Sequence, residues 1–207
     1  KTRIQRKFRR INKHRMVLLD SIRVKKKIRN NDKQCLFIDC GTNLGQGFNH
    51  FSKYYSLDDF DFIMIEPNEN CISFLENKYK DLIENNKIRL IPKAAFTSSD
   101  GAKLFGLQEY SEVRDFQNPT TVNGNLTSQG ASILKNHNSK YYGSKVENSM
   151  KVETFSFSKL LKSESKNYNL IIVKMDIEGG EYEVLEDLIS KRQLNLMHTL
   201  YLEFHSH

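Results

Sequence analysis

Four acids stand at the tips of short apolar runs: Asp39 in CLFIDC, Glu66 in DFIMIE, Asp176 after LIIVKM and Glu203 in LMHTLYLE. A fifth run, KIRLIPKAAF, closes on Ala94–Phe96 without one, and His205 follows Glu203 by two residues. In open α/β sheets, ligands sit outside the carboxyl ends of the strands. Residues just past each apolar run are therefore where chemistry is read. A row of carboxylates there suits a ligand with hydroxyls and positive charge, or a proton to be removed.

The first run leads into Asp39-Cys40-Gly41-Thr42-Asn43-Leu44-Gly45-Gln46-Gly47. A dinucleotide fingerprint requires glycine at 41, 43 and 46, so the pyrophosphate template fails and a nicotinamide oxidoreductase is disfavoured. A D-x-G-x-N-x-G turn suits S-adenosylmethionine, which has no phosphate. Asp39 is expected to accept from its ammonium, and Gly41 and Gly45 to let the main chain approach. Amides opening the next helix are expected to face its carboxylate. Glu66 follows the turn by roughly 20 residues, the offset at which a carboxylate accepts from a ribose diol.

Taken together, FIDCGTNLGQG, MIEPN, KAAF, the GAS of 130–132 and VKMDIEGGEYEVL resemble the FkbM-type S-adenosylmethionine-dependent methyltransferases over residues 35–205. The resemblance implies a class I, Rossmann-like fold and methyl transfer to oxygen, often on a sugar or polyketide-type hydroxyl, with S-adenosylhomocysteine as product. By position it makes Asp39, Gly41, Thr42, Asn43, Gly45, Glu66 and Pro67 cofactor-binding, with Ala95 near the adenine. A hydroxyl acceptor calls for a base beside the sulfonium. Asp176, Glu178 and His205 are the candidates, and Asp176 has the rival task of capping the following helix. No fixed-spacing metal motif occurs, so no metal is assigned, although His205 and His207, spaced to share one strand face, could hold a divalent ion with Asp176 and Glu203 that would also lower the acceptor's pKa.

The elements that must position these groups alternate strand and helix, which predicts an α/β sheet, mainly parallel, with helices on both faces. Residues 34–207 are read as the catalytic domain. Residues 1–33 carry 14 Lys/Arg and 2 Asp/Glu and read as a basic helix over 3–29 leading from an upstream domain. Its apolar positions Ile4, Phe8, Ile11, Leu18 and Ile22 are taken as the packing face. The rest of the chain is net acidic despite the overall +7. Nucleic acid is therefore not the expected partner; a sugar or glycan acceptor is. An RNA methyltransferase using the basic helix, and a non-catalytic S-adenosylmethionine-binding domain, stand as alternatives.

Residues 116–148 read as a long loop serving as a lid or acceptor-binding segment. The chain starts with lysine and reads as a fragment, and it stops after the fifth core strand. A strand pair 103–110 with 150–156, or a partner, is expected to cover the exposed edge. Three cysteines without a CxxC suggest neither disulfide nor zinc. No apolar run spans a membrane, and a cytoplasmic location is expected, with the basic helix able to hold the protein at a membrane surface. There is no GxSxG for a serine hydrolase.

Overall fold

A computed structural model of the chain describes residues 3–29, 34–105, 121–122, 125–126, 131–134 and 149–205, with side chains on the first segment described for residues 15–28. Five strands form one parallel sheet: β1 (Cys35–Cys40), β2 (Phe60–Ile65), β3 (Ile88–Ile91), β10 (Leu170–Met175) and β11 (Thr199–Leu202). Their order is β11-β10-β1-β2-β3. Direction of travel across the sheet reverses between β1 and β10, and a crevice opens at such a point.

Side chains alternate across each strand, so β1 and β10 are apolar on both sides. Phe37, Phe62, Met64 and Ile172 meet one layer of helices: α1 (Arg3–Arg29), α2 (Gln46–Phe51) and α3 (Glu69–Lys78). Ile38, Ile63, Val173 and Met175 meet the other layer, α5 (Phe157–Glu164) and α6 (Glu181–Ser190). The short α4 (Lys80–Glu84) follows a break at Tyr79. This is the sandwiched α/β architecture expected from the sequence.

The third run divides. β3 joins the main sheet, while β4 (Ala94–Phe96) pairs in parallel with β9 (Thr154–Ser156). Next along the chain, β5 (Ala102–Phe105) pairs antiparallel with β8 (Ser149–Val152), and Phe105 bridges to Ser132. The pairing expected of 103–110 with 150–156 therefore forms, but as a separate ribbon. It does not extend the β11 edge, which has only β10 as a strand neighbour among the described residues. Within the long loop, the described pieces are the ladder β6 (Thr121–Val122) with β7 (Asn125–Leu126) and residues 131–134. The remainder of the expected lid lies outside the described residues, as do Ile4, Phe8 and Ile11 as side chains.

Helix α1 packs on the sheet by a different face from the one read in the sequence. Leu18 and Ile22 are exposed, whereas Val17, Ser21 and Val24 are buried. Val17 and Val24 share the cluster of Phe37 and Tyr55, so α1 contributes to the core of the 34–207 unit. A polar contact fixes its rotation: the Asp20 carboxylate accepts from Tyr55 Oη (2.7 Å), Thr199 Oγ1 (3.0 Å) and Tyr201 Oη (3.1 Å). Cys35, Cys40 and Cys71 are all buried. Among the described residues no helix is long and apolar enough to cross a membrane.

The packing face sets an expectation. Val24→Ala should cost about 2 kcal/mol in urea unfolding, whereas Leu18→Ala and Ile22→Ala should each stay within about 0.5 kcal/mol. Equal losses at all three positions would contradict this orientation of α1.

Candidate functional site

At the carboxyl ends of the strands lies a cavity of about 730 Å³, within the usual range for small-molecule sites. Its wall includes Gly41, Thr42 and Asn43 after β1, Glu66 and Pro67 after β2, and Ala95 of β4. Asp176 and Glu178 after β10, and Glu203 and His205 after β11, also border it. The topology thus brings together most residues singled out by type and spacing. Met16 of α1 and Ala131 and Ile133 of the long loop border it as well.

At the β2 side, Glu66 is 6 % exposed. One carboxylate oxygen accepts from the Asn43 amide (2.9 Å) and the other from the Asn68 amide (3.0 Å). Burial pushes its pKa up to about 7; those two amides and Lys174 oppose the rise, and Asp39 adds to it. Each oxygen keeps acceptor capacity for a further donor. The Asn43 contact needs the main chain to turn back, and Asn43 has a φ of 47°.

Asp39 sits at the tip of β1. It is fully buried and is not part of the cavity wall. Thr42 Oγ1 donates to it (2.9 Å), Lys174 Nζ lies 3.2 Å away, and Gly47 packs so closely over it that a Cβ there would come 2.4 Å from its oxygen. Gly45 also faces inward, onto the Tyr79 hydroxyl, and not into the cavity. The amides of Gly41 and Thr42 both donate to the Ile65 carbonyl, leaving the start of α2 for any ligand carboxylate.

Lys174 is the residue the sequence reading passed over. Its Nζ donates to the carbonyls of Gly41 (2.9 Å) and Cys40 (3.3 Å) and lies 3.4 Å from Asp176. Burial alone would lower its pKa, but Asp39 and then Asp176 outweigh that and raise it, so the ammonium stays charged. The available signal was a lone cation inside the apolar run NLIIVKM, where an unpaired charge would be prohibitively costly.

At the other side, His205 meets three carboxylates. Its Nε2 lies 3.5 Å from Glu178 Oε2 and 3.6 Å from Asp176 Oδ1, and its Nδ1 lies 3.0 Å from Glu181 Oε1. The hydrogen bond to Glu181 leads the rise of its pKa to about 9; burial opposes it, and Glu178, Glu181 and Asp176 add to it. These carboxylates thus favour the protonated form of the ring. Burial raises Glu178 to about 7, against the pull of His205. Glu178 also has a φ of 54°, a costly conformation for a non-glycine residue and typical of functional sites.

The capping role weighed for Asp176 is unfilled, since α6 starts after Gly180 without a side-chain cap hydrogen bond, and Glu181 instead holds the turn ahead of it. The carboxylate of Glu181 accepts from the Ile177 and Gly179 amides, each at 2.8 Å, just ahead of α6. Asp176 is left facing the cavity.

The protein family described as "Methyltransferase FkbM domain" matches residues 39–207. No curated protein matches the chain. Among solved structures it is similar to the crystal structure of Methyltransferase FkbM from Methylobacillus flagellatus KT, with 14 % identity and a TM-score of 0.45. That likeness covers 82 % of this chain and 32 % of the other, so this chain spans well under two thirds of that protein's length.

Lys174→Met should leave Asp39 buried and unpaired, costing about 3–5 kcal/mol in chemical denaturation. Adding Asp39→Asn should recover part of that loss, because the uncompensated charge is gone. A double variant no more stable than Lys174→Met would mean that the pair is uncoupled.

Proposed function

The chain belongs to the FkbM methyltransferase family, and from that premise we propose that it transfers a methyl group from S-adenosylmethionine to a hydroxyl oxygen of a sugar or glycan. The observation carrying this reading is the single cavity that runs from Glu66 and Ala95 to Asp176, Glu178 and His205. One side has what a nucleoside requires and the other has what a hydroxyl acceptor requires.

The residues fit the cofactor. Glu66 is a buried carboxylate with spare acceptor capacity at the cavity wall, suited to a ribose 2′,3′-diol. Ala95 and Pro67 provide small apolar wall on that side, suited to the flat face of an adenine. The main chain of Gly41 and Asn43, with the start of α2, borders the space for the amino-acid tail. Asp39 acts from behind, by holding Thr42 and Lys174 in place. When bound, S-adenosylmethionine supplies an electrophilic methyl group on its sulfonium.

The protein's own task is alignment and proton removal. The acceptor hydroxyl is held against Asp176, Glu178 and His205, and its proton passes to a carboxylate of that cluster. The net acidic composition of residues 34–207, which supply most of the cavity wall, favours a neutral glycan over a polyanion such as RNA.

Glu66 gives this reading a pH signature. Its pKa in the free protein is about 7, and a diol donating to it favours the carboxylate form. Affinity for S-adenosylmethionine should therefore be full above that pKa and fall as pH drops through it, by about tenfold per unit well below it. Calorimetry across that window should show the trend, and Glu66→Gln should flatten it; an identical slope in the variant would remove Glu66 from the site.

For transfer itself, Glu178→Gln, His205→Ala and Asp176→Asn should each keep cofactor affinity within about threefold while lowering turnover on a glycan acceptor by about 100-fold or more. Labelled cofactor and a panel of sugars and glycans provide the assay. Full activity in all three variants would sink the assignment of the acceptor side.

A further inference from the structure

We propose that Asp176, Glu178 and His205 together form a binding site for a divalent cation, best matched by Mn²⁺, at the acceptor side of the cavity. The three donors come from two separate strand ends, and their ligand atoms all lie within 4.8 Å of one another. Nε2 of His205 is 3.5 Å from Glu178 Oε2 and 3.6 Å from Asp176 Oδ1. Donors so spaced can share one ion at roughly 2.0–2.4 Å from each, the bond range of divalent Zn, Mg and Mn. Two carboxylate oxygens with one imidazole nitrogen favour Mn²⁺ over Ca²⁺, which prefers an all-oxygen set.

The surroundings of the imidazole are those of a metal ligand. Glu181 is fully buried and takes Nδ1, so Nε2 is the atom presented to Asp176 and Glu178. Glu181 is itself pinned by the amides of Ile177 and Gly179. A carboxylate behind a histidine fixes the tautomer and ring orientation of the ligating nitrogen. Asp176, Glu178 and Glu181 all lie within 3.6 Å of one ring.

All three donors border the cavity, so coordination positions opposite the protein face the acceptor. An ion there would polarise the hydroxyl and lower its pKa. That role in transfer rests on the methyltransferase reading; the binding of the ion does not.

The test uses the whole chain, stripped with chelator and titrated with Mn²⁺ while the free-ion signal is followed by electron paramagnetic resonance. One tightly bound Mn²⁺ per chain is expected, with ¹⁴N coupling from the imidazole in its pulsed spectrum. Glu178→Gln and His205→Ala should each weaken binding at least tenfold, and Glu84→Gln on the exposed α4 should not change it. Absence of binding, absence of nitrogen coupling, or unchanged affinity in both site variants would overturn the proposal. Calorimetry with S-adenosylhomocysteine on the same samples separates the two readings. Cofactor product bound without Mn²⁺ defeats the metal site alone, Mn²⁺ bound without it defeats the cofactor reading alone, and its retention in the variants shows that they are folded.

Discussion

A single ammonium holds the tips of β1 and β10 together. Lys174 reaches Asp39, Asp176 and the carbonyls of Cys40 and Gly41 at once. The two loops meet so closely that a Cβ on Gly41 would lie 1.9 Å from the Asp176 carbonyl oxygen. That closeness brings two carboxylates and several carbonyl dipoles into one small volume, where their mutual repulsion is strong. The Lys174 charge offsets it, and its own desolvation is in turn offset by the two acids. Removing either side leaves a charge without water and without a partner, which is why the arrangement persists only as a set.

With the β1 and β10 tips joined, the cavity acquires two unlike sides. The β2 side has one acid, Glu66, bound to main-chain amides and set beside Ala95 and Pro67. The β10–β11 side gathers Asp176, Glu178 and Glu181 around one imidazole. The first environment recognises hydroxyls by accepting from them. The second concentrates negative charge and so attracts a proton or a cation. The reversal of strand order between β1 and β10 separates the two by the width of the turn after β1, which is where the middle of an extended nucleoside ligand belongs.

The strands were readable because runs such as CLFIDC and LIIVKM are buried on both faces and admit no solvent-facing alternative. Glu66 was readable because its spacing from the turn follows from one strand-turn-helix-strand unit. The burial of Asp39 was not readable, because a position at a strand tip does not say which layer its side chain enters, and here Gly47 closes over it. Lys174 was missed because Asp39 and the Cys40 and Gly41 carbonyls, its partners beyond Asp176, come from another strand. The packing face of α1 was misread because the helix has apolar residues on more than one side. Ser21, a buried residue, hides the true stripe of Val17, Val24 and Ile28 by bonding its hydroxyl to the Leu18 carbonyl. Periodicity counts apolar residues; it cannot see a satisfied hydroxyl.

The basic helix acquires a structural part in the site through β11. That strand has four residues and one strand neighbour among the described residues, so its ladder alone holds it weakly. Asp20 of α1 compensates by accepting from Thr199 and Tyr201 of β11 while also accepting from Tyr55, whose ring belongs to the core. Lys27 approaches His198 just ahead of the strand, 3.5 Å from its Nδ1. Glu203 and His205 continue directly from this strand, and the His205 ring closes onto Glu181 of α6. The position of the imidazole therefore depends on two attachments: α1 fixes the strand that delivers it, and α6 fixes the ring. A segment that composition alone marks as a polyanion-binding arm thus acts within the fold as the brace of the acceptor side.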